Sequence, residues 1–293
     1  MSLNSFYNCT LVTFRPNYQI LLSSTTNYGK TISQKYLKKL FEKARKNTNH
    51  GVLDKLIEKT PYGPRFIEHP PLIEHADVSI RMGTKISDLL EDVLQTYTKS
   101  LLPDRQYLLR RYKLIDWVRK VVGVGSVGTA CWAMYFEGQD VDDPLFLQLK
   151  EAQKSVLAPY FPSNKFHNEG KRVIDGQALI QGAPDLFLGF GKAEGHFYIR
   201  QLRDMKGGIS VGGDDINVEV FPDFAKLFGW ALANAHARSG DPAVLAGYCG
   251  KGEALDDAMV NFSIAYSKQN EADYDTFLRA IKSGKISSAA ENF

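Results

Sequence analysis

The sequence predicts an α+β protein of two lobes, in which a small antiparallel sheet lies between helical segments. Three observations carry this. Apolar residues recur at helical spacing on both sides of the centre: Ile86, Leu89, Leu90, Val93, Leu94 and Tyr97 before it, and Phe224, Leu227, Phe228, Ala231, Leu232 and Ala235 after it. Between them the pattern turns β-rich from about residue 117. Within that stretch residues 123–128 read Gly-Val-Gly-Ser-Val-Gly, a glycine loop between two strand-like runs.

Taken in order, residues 1–30 form an N-terminal segment to which no role is assigned. Residues 31–118 read as a helical segment. Ile32, Tyr36, Leu37 and Leu40 share one helix face, opposite a basic stripe of Lys35, Lys38, Lys39, Lys43 and Arg45. A stripe of this kind is either a solvated face or a contact for phosphate. A short helix holds Val52, Leu53, Leu56 and Ile57. Pro61, Pro64, Pro70 and Pro71 mark an extended connector. The 86–102 helix comes next, and Pro103-Asp104 starts another, because proline suits a first helical turn and an acid favours its positive end.

Residues 119–206 make the sheet lobe, with strands expected over about 117–124, 128–137, 145–151 and 196–202 and a helix over 169–182. Residues 207–293 make the helical lobe. There Phe224, Phe228 and Leu232 are expected to be buried against the C-terminal helices, leaving Lys226 and Asn234 wet.

Composition excludes several function classes. With 293 residues, 44% hydrophobic and 24% charged, the chain suits a globular protein with a large core. A formal net charge of +3 calls for neither nucleic acid nor a membrane surface. Cys9, Cys131 and Cys249 are odd in number and scattered, which suits reduced thiols in the cytoplasm and fits no zinc site. No apolar run approaches the ~18 residues of a membrane span, and the N-terminus lacks a signal-peptide pattern. A cytoplasmic location and no resident metal are the expectations.

A lone GxGxxG takes its meaning from the element on its C-terminal side. In a dinucleotide fold that element is a helix; here Thr129–Phe136 (TACWAMYF) reads as a strand. Strand, glycine turn, strand is the kinase arrangement, in which small residues let backbone N–H groups approach phosphates. Gly123, Gly125, Ser126 and Gly128 are the candidate cradle. Lys150, closing the strand LFLQLK, is the candidate cation for the α- and β-phosphates, with Glu169 or Asp175 to orient it. A hairpin with a glycine turn and an exposed lysine is the alternative.

Other candidates stay open. Arg200, Arg203, Asp204 and Lys206 either line a cleft, where they would meet phosphate or an acidic substrate, or form an internal ion-pair network. His236, Arg238 and Asp241 (HARSGD) read superficially as a His-Arg-Asp catalytic loop. Position 246, where a kinase would carry a metal-binding asparagine, is alanine, and the stretch also reads as a helix end closed by Gly240. Asp214 and Asp215 sit in a glycine-rich loop as a cation site or a solvated turn.

The stretches RKVVGVGSVGT (119–129), LFLQLKEA (145–152), GKRVIDGQALIQ (170–181), YIRQLRDMKG (198–207), GWALANAHARSGD (229–241) and AYSKQNEADY (265–274) resemble the bacterial family called "domain of unknown function 2252". The resemblance implies a protein-kinase-like fold and a site for ATP, with Mg2+ accompanying it, but no substrate. Members of that family carry an upstream Gly-Asp-Ala-His…Asn-Phe-Gly motif and an Asp-rich segment that look like a catalytic loop and a metal-binding aspartate in a permuted chain. Residues 1–118 contain neither, and residues 1–30 look foreign to the family. The expectation is therefore a match to the family's C-terminal part alone, an incomplete kinase-like fold inactive in phosphotransfer by itself. It would serve as a nucleotide-binding module, as a structural or interaction fragment, or as half of a split phosphotransferase completed by a partner polypeptide carrying the missing motifs.

Overall fold

The computed structural model describes residues 42, 44–46, 48–75, 86–121, 129–161, 166–181, 184–202 and 221–287. The architecture is mixed α+β. A 3-10 turn at His50–Val52 leads into the short helix α1 (Leu53–Leu56), then a hairpin of β1 (Ile57–Thr60) and β2 (Gly63–Phe66). The short strand β3 (Ile73–Glu74) precedes α2 (Ile86–Ser100) and α3 (Pro103–Leu109). The main sheet continues with β4 (Lys113–Lys120), β5 (Cys131–Glu137) and β6 (Pro144–Glu151). After α4 (Glu169–Gln181) come β7 (Gly189–Lys192) and β8 (His196–Gln201), and the chain closes with α5 (Phe221–Ser239), α6 (Pro242–Cys249) and α7 (Ala254–Lys282).

The six strands of the main sheet run β3-β4-β5-β6-β8-β7, every neighbour antiparallel. β5 and β6 lie at its centre and are covered on both faces. That is why Ala133 to Phe136 and Leu145 to Leu149 are buried without interruption and read as continuous apolar runs rather than alternating ones. Alternation along the strands still separates two cores. Met134, Leu147, Leu149 and Ile199 pack with Leu90, Val93 and Tyr97 of α2. Ala133, Tyr135, Phe146 and Val118 pack on the opposite face with Val52, Phe66 and Ile73. There Phe146 stacks on Tyr135 at 5.2 Å and meets Phe66 edge-on at 6.0 Å.

Helix α2 lies close over β7 because that strand reads Gly-Phe-Gly-Lys. A Cβ at Gly191 would stand 2.6 Å from Val93 Cγ1, and one at Gly189 would stand 2.7 Å from the Tyr97 ring. The close approach lets Tyr97 Oη donate to Phe187 O at 2.8 Å, while Thr96 Oγ1 accepts from Lys192 N at 2.8 Å and Ser100 Oγ from Phe190 N at 2.9 Å. α4 begins at the buried Asn168, whose Oδ1 accepts from Lys171 N at 3.0 Å and satisfies one of the free donors of its first turn.

Four expectations need correction. The 31–118 stretch is not wholly helical: it contains β1, β2, β3 and β4, because the proline-rich 61–71 stretch supplies a hairpin turn at Pro61-Tyr62 rather than a plain connector. Ile57, expected to close the first short helix, instead begins β1. β7 is an unexpected strand, since two glycines in four residues give no strand signal; antiparallel pairing with β8 makes it one. The core expected under α5 is also absent at Leu232, which is 49% exposed, while Phe228 is half-buried. α6 and α7 contribute no buried residue. Helical spacing defines an apolar face but not what covers it. Lys226 is exposed as expected, Asn234 is half-buried with its amide donating to Trp230 O at 2.8 Å, and the Phe224 side chain is outside the described residues.

Candidate functional site

Alternation along β6 sends Phe146, Gln148 and Lys150 to the sheet face opposite α2. Lys150 is the register partner of Cys131 on β5 and of Tyr198 on β8, and Gln148 is the partner of Ala133 and Arg200. The sheet therefore places Lys150, Cys131, Gln148, Tyr198 and Arg200 on one patch. Within it Arg200 Nε and Nη2 both reach Gln148 Oε1 at 3.4 Å, and Gln148 Nε2 lies 3.6 Å from Cys131 Sγ.

The electrostatics of the patch show in its thiol. Burial pushes the Cys131 thiol up, and the positive charges of Lys150, Arg200 and Lys120 pull it partly back, together with the Gln148 hydrogen bond. Three cations thus act on one buried point. Burial also raises the Tyr198 phenol, against the lowering effect of Arg200.

The position of the patch in the sheet matters as much as its charge. β4 ends at Lys120 and β5 starts at Cys131, so residues 121–130, which hold the glycine motif, join the two strands at the end where Lys150 stands. Strand, glycine segment, strand and lysine occur in the expected order. Gly123, Gly125, Ser126 and Gly128 themselves lie outside the described residues, as do Arg203, Asp204, Lys206, Asp214 and Asp215.

The two acids considered as partners for Lys150 sit on α4. Glu169 accepts from Arg172 Nε one turn on, and its backbone N–H donates to His196 Nδ1 at 3.2 Å. Asp175 pairs with Lys171. Each carboxylate therefore holds a neighbour on its own helix. The HARSGD stretch lies at the junction of α5 and α6. Arg238 donates to Leu179 O and Ile180 O, the carbonyls near the end of α4. Asp241 is the N-cap of α6: its Oδ1 accepts from Ala243 N at 2.8 Å and Val244 N at 3.2 Å. Gly240 N donates to His236 O at 2.8 Å, ending α5, and the His236 side chain is exposed.

Sequence reasoning selected Lys150 and Arg200 but missed Lys120, Cys131 and Gln148. The strand alternation in LFLQLK held a signal for Gln148, two residues from Lys150. Lys120 and Cys131 enter only through cross-strand register. Among the described residues no cluster of His, Cys, Asp and Glu is arranged to hold a metal, and no described helix is long and apolar enough to cross a membrane.

These features define an α+β protein whose six-stranded antiparallel sheet presents a cationic patch near the end of β4 and the start of β5. The chain belongs to the family described as uncharacterized protein conserved in bacteria (DUF2252), whose model matches residues 10–280. No curated protein and no solved structure matches it. The match covers nearly the whole chain, which corrects the expectation of a C-terminal part alone: most of the segment read as foreign, from residue 10 onward, falls within the family.

Proposed function

We propose that the chain is a kinase-like nucleotide-binding protein that takes the polyphosphate of ATP on the Lys150 face of the sheet. The observation that carries this reading is the convergence of Lys150, Arg200 and Lys120 on Cys131, at the sheet end where the glycine segment joins β4 to β5. Triphosphate recognition needs cations at fixed positions and backbone N–H groups able to approach closely. A strand-borne lysine and an arginine held by Gln148 meet the first need. Residues 123–128 have the composition for the second. Mg2+ would accompany the nucleotide and offset part of its negative charge.

Binding without turnover is the activity that fits this chain. Phosphoryl transfer also requires a group to orient the nucleophile and carboxylates to hold the metal. Asp241, the one aspartate in a suggestive context, is occupied in capping α6. A structural or interaction fragment and one half of a split phosphotransferase are the alternative readings, and phosphotransfer that appears only on adding a polypeptide with the missing motifs would favour the latter.

Thermal denaturation with millimolar Mg-ATP tests the proposal. A ligand that binds only the folded state raises its apparent stability. Native protein should melt higher with Mg-ATP, and Lys150→Ala should lose most of that gain. A melting curve indifferent to nucleotide, with or without magnesium, would remove the reading. ATP consumption above background that Asp241→Asn abolishes would make HARSGD a working catalytic loop.

A further inference from the structure

The opposite face of the same sheet holds a separate cavity of about 250 Å³. Its sheet wall is Trp117, Trp132 and Phe197, and Leu90 and Val93 of α2 are on its helical wall. Trp132 and Phe197 meet edge-on, centroids 6.0 Å apart at 61°. Two carboxylates also line it: Glu151 at the end of β6 and Glu194 in the turn between β7 and β8.

We infer that this cavity is a binding site for a small organic ammonium ion. Aromatic faces are negative at their centres and attract a cation that comes without a tight hydration shell. Glu151 is half-buried and Glu194 is exposed at the cavity's edge, and their negative charge adds to that attraction and disfavours an anion. The register explains why these groups meet. Glu151 is the partner of Phe197, and on its other side its Oε2 accepts from Ala130 N at 3.0 Å, two residues before Trp132. The carboxylate is thus fixed to the chain entering the strand that carries Trp132. Arg119, the cation on the same face of β4, reaches to Glu74 on β3 at 3.4 Å. Among the described residues that line the cavity there is no lysine or arginine. The volume lies near the low end of the pocket range and suits a compact ligand. Because Leu149 and Glu151 alternate with Lys150 along β6, this site and the proposed nucleotide site are on opposite faces, and either can fail without the other.

The protein has three tryptophans, and two line the cavity. With Trp230→Phe as background, tryptophan emission reports on the cavity directly. Choline and its uncharged carbon isostere 3,3-dimethylbutan-1-ol have nearly the same shape, so titrating each separates charge recognition from plain apolar filling. Choline should change the emission saturably and bind at least about tenfold more tightly than the isostere, in line with the strength of desolvated cation–π contacts. Glu194→Gln and Glu151→Gln should each weaken choline and leave the isostere unchanged. Equal affinity for the two probes, no saturable change with choline, or choline affinity unaltered in both Gln variants would overturn the inference.

Discussion

Lys150 and Cys131 stand directly opposite each other on β6 and β5, so a buried thiol lies beside the cation expected to meet phosphate. Burial keeps that thiol protonated above its ordinary range, and the neighbouring positive charges only partly reverse this. Cys249 is exposed at the end of α6. Timed alkylation with iodoacetamide at pH 8, read by peptide mapping, should therefore modify Cys249 well before Cys131, because the thiolate is the reactive form. Lys150→Met should slow Cys131 further. Labelling of Cys131 as fast as Cys249 in native protein would contradict the buried placement.

Stability should fall in alkali, beginning near the ordinary tyrosine range. Burial and the adjacent Glu137 carboxylate push the Tyr135 phenol up to about 12, and burial also raises Tyr97 and Tyr198. Above pH ~10 the unfolded chain sheds phenolic protons that the folded chain retains, so unfolding is increasingly favoured. The contribution is intact below that pH and is lost as pH rises through the folded values. Urea denaturation at pH 8, 10 and 11 should show a progressive loss that is smaller in Tyr135→Phe. A midpoint unchanged to pH 11 would rule out this placement of the phenols.

Two glycines should respond oppositely to alanine. At Gly191 the new Cβ would meet Val93 Cγ1 at 2.6 Å and Val93 O at 2.8 Å, and a backbone oxygen cannot rotate away. Gly191→Ala should cost about 1–3 kcal/mol, typical of overpacking. Gly176, inside α4, has nothing within 4 Å of its would-be Cβ. Gly176→Ala should stabilise by roughly 0.5–1 kcal/mol through helix propensity. Chemical denaturation of both variants gives the comparison, and a neutral Gly191→Ala would mean that α2 is not seated on β7.

Asp241 should behave as a helix cap. Asp241→Ala removes the acceptor for Ala243 N and Val244 N and should cost about 1 kcal/mol, whereas Asp241→Asn retains an acceptor and should cost little. Melting of the α5–α6 region followed by hydrogen exchange would locate the loss. Equal loss in both variants would point to a role for the negative charge itself.

Much of the helical and strand layout was legible along the chain. α2, α3, α4 and α5 lie within a few residues of their expected spans, because apolar periodicity and Pro103-Asp104 are local signals. β5 and β6 were legible as short apolar runs, whereas β4, expected over about 117–124, runs over Lys113–Lys120. The order of strand, glycine segment, strand and lysine was likewise readable from sequence alone.

What the chain by itself determined, then, is the helices α2 to α5 and the central strands, with Lys150 and Arg200 as candidates among them. Tertiary structure decided the rest. Register across β5, β6 and β8 brought Cys131 and Gln148 beside those cations and set the aromatic cavity on the reverse face. β7 is a strand because it pairs with β8, its glycines admit α2, and Leu232 is half exposed despite its helical spacing. The physical reason is common to all of these. Periodicity is written in neighbours a few residues apart, whereas register, close backbone approach and burial depend on residues tens of positions away, which a local pattern cannot specify.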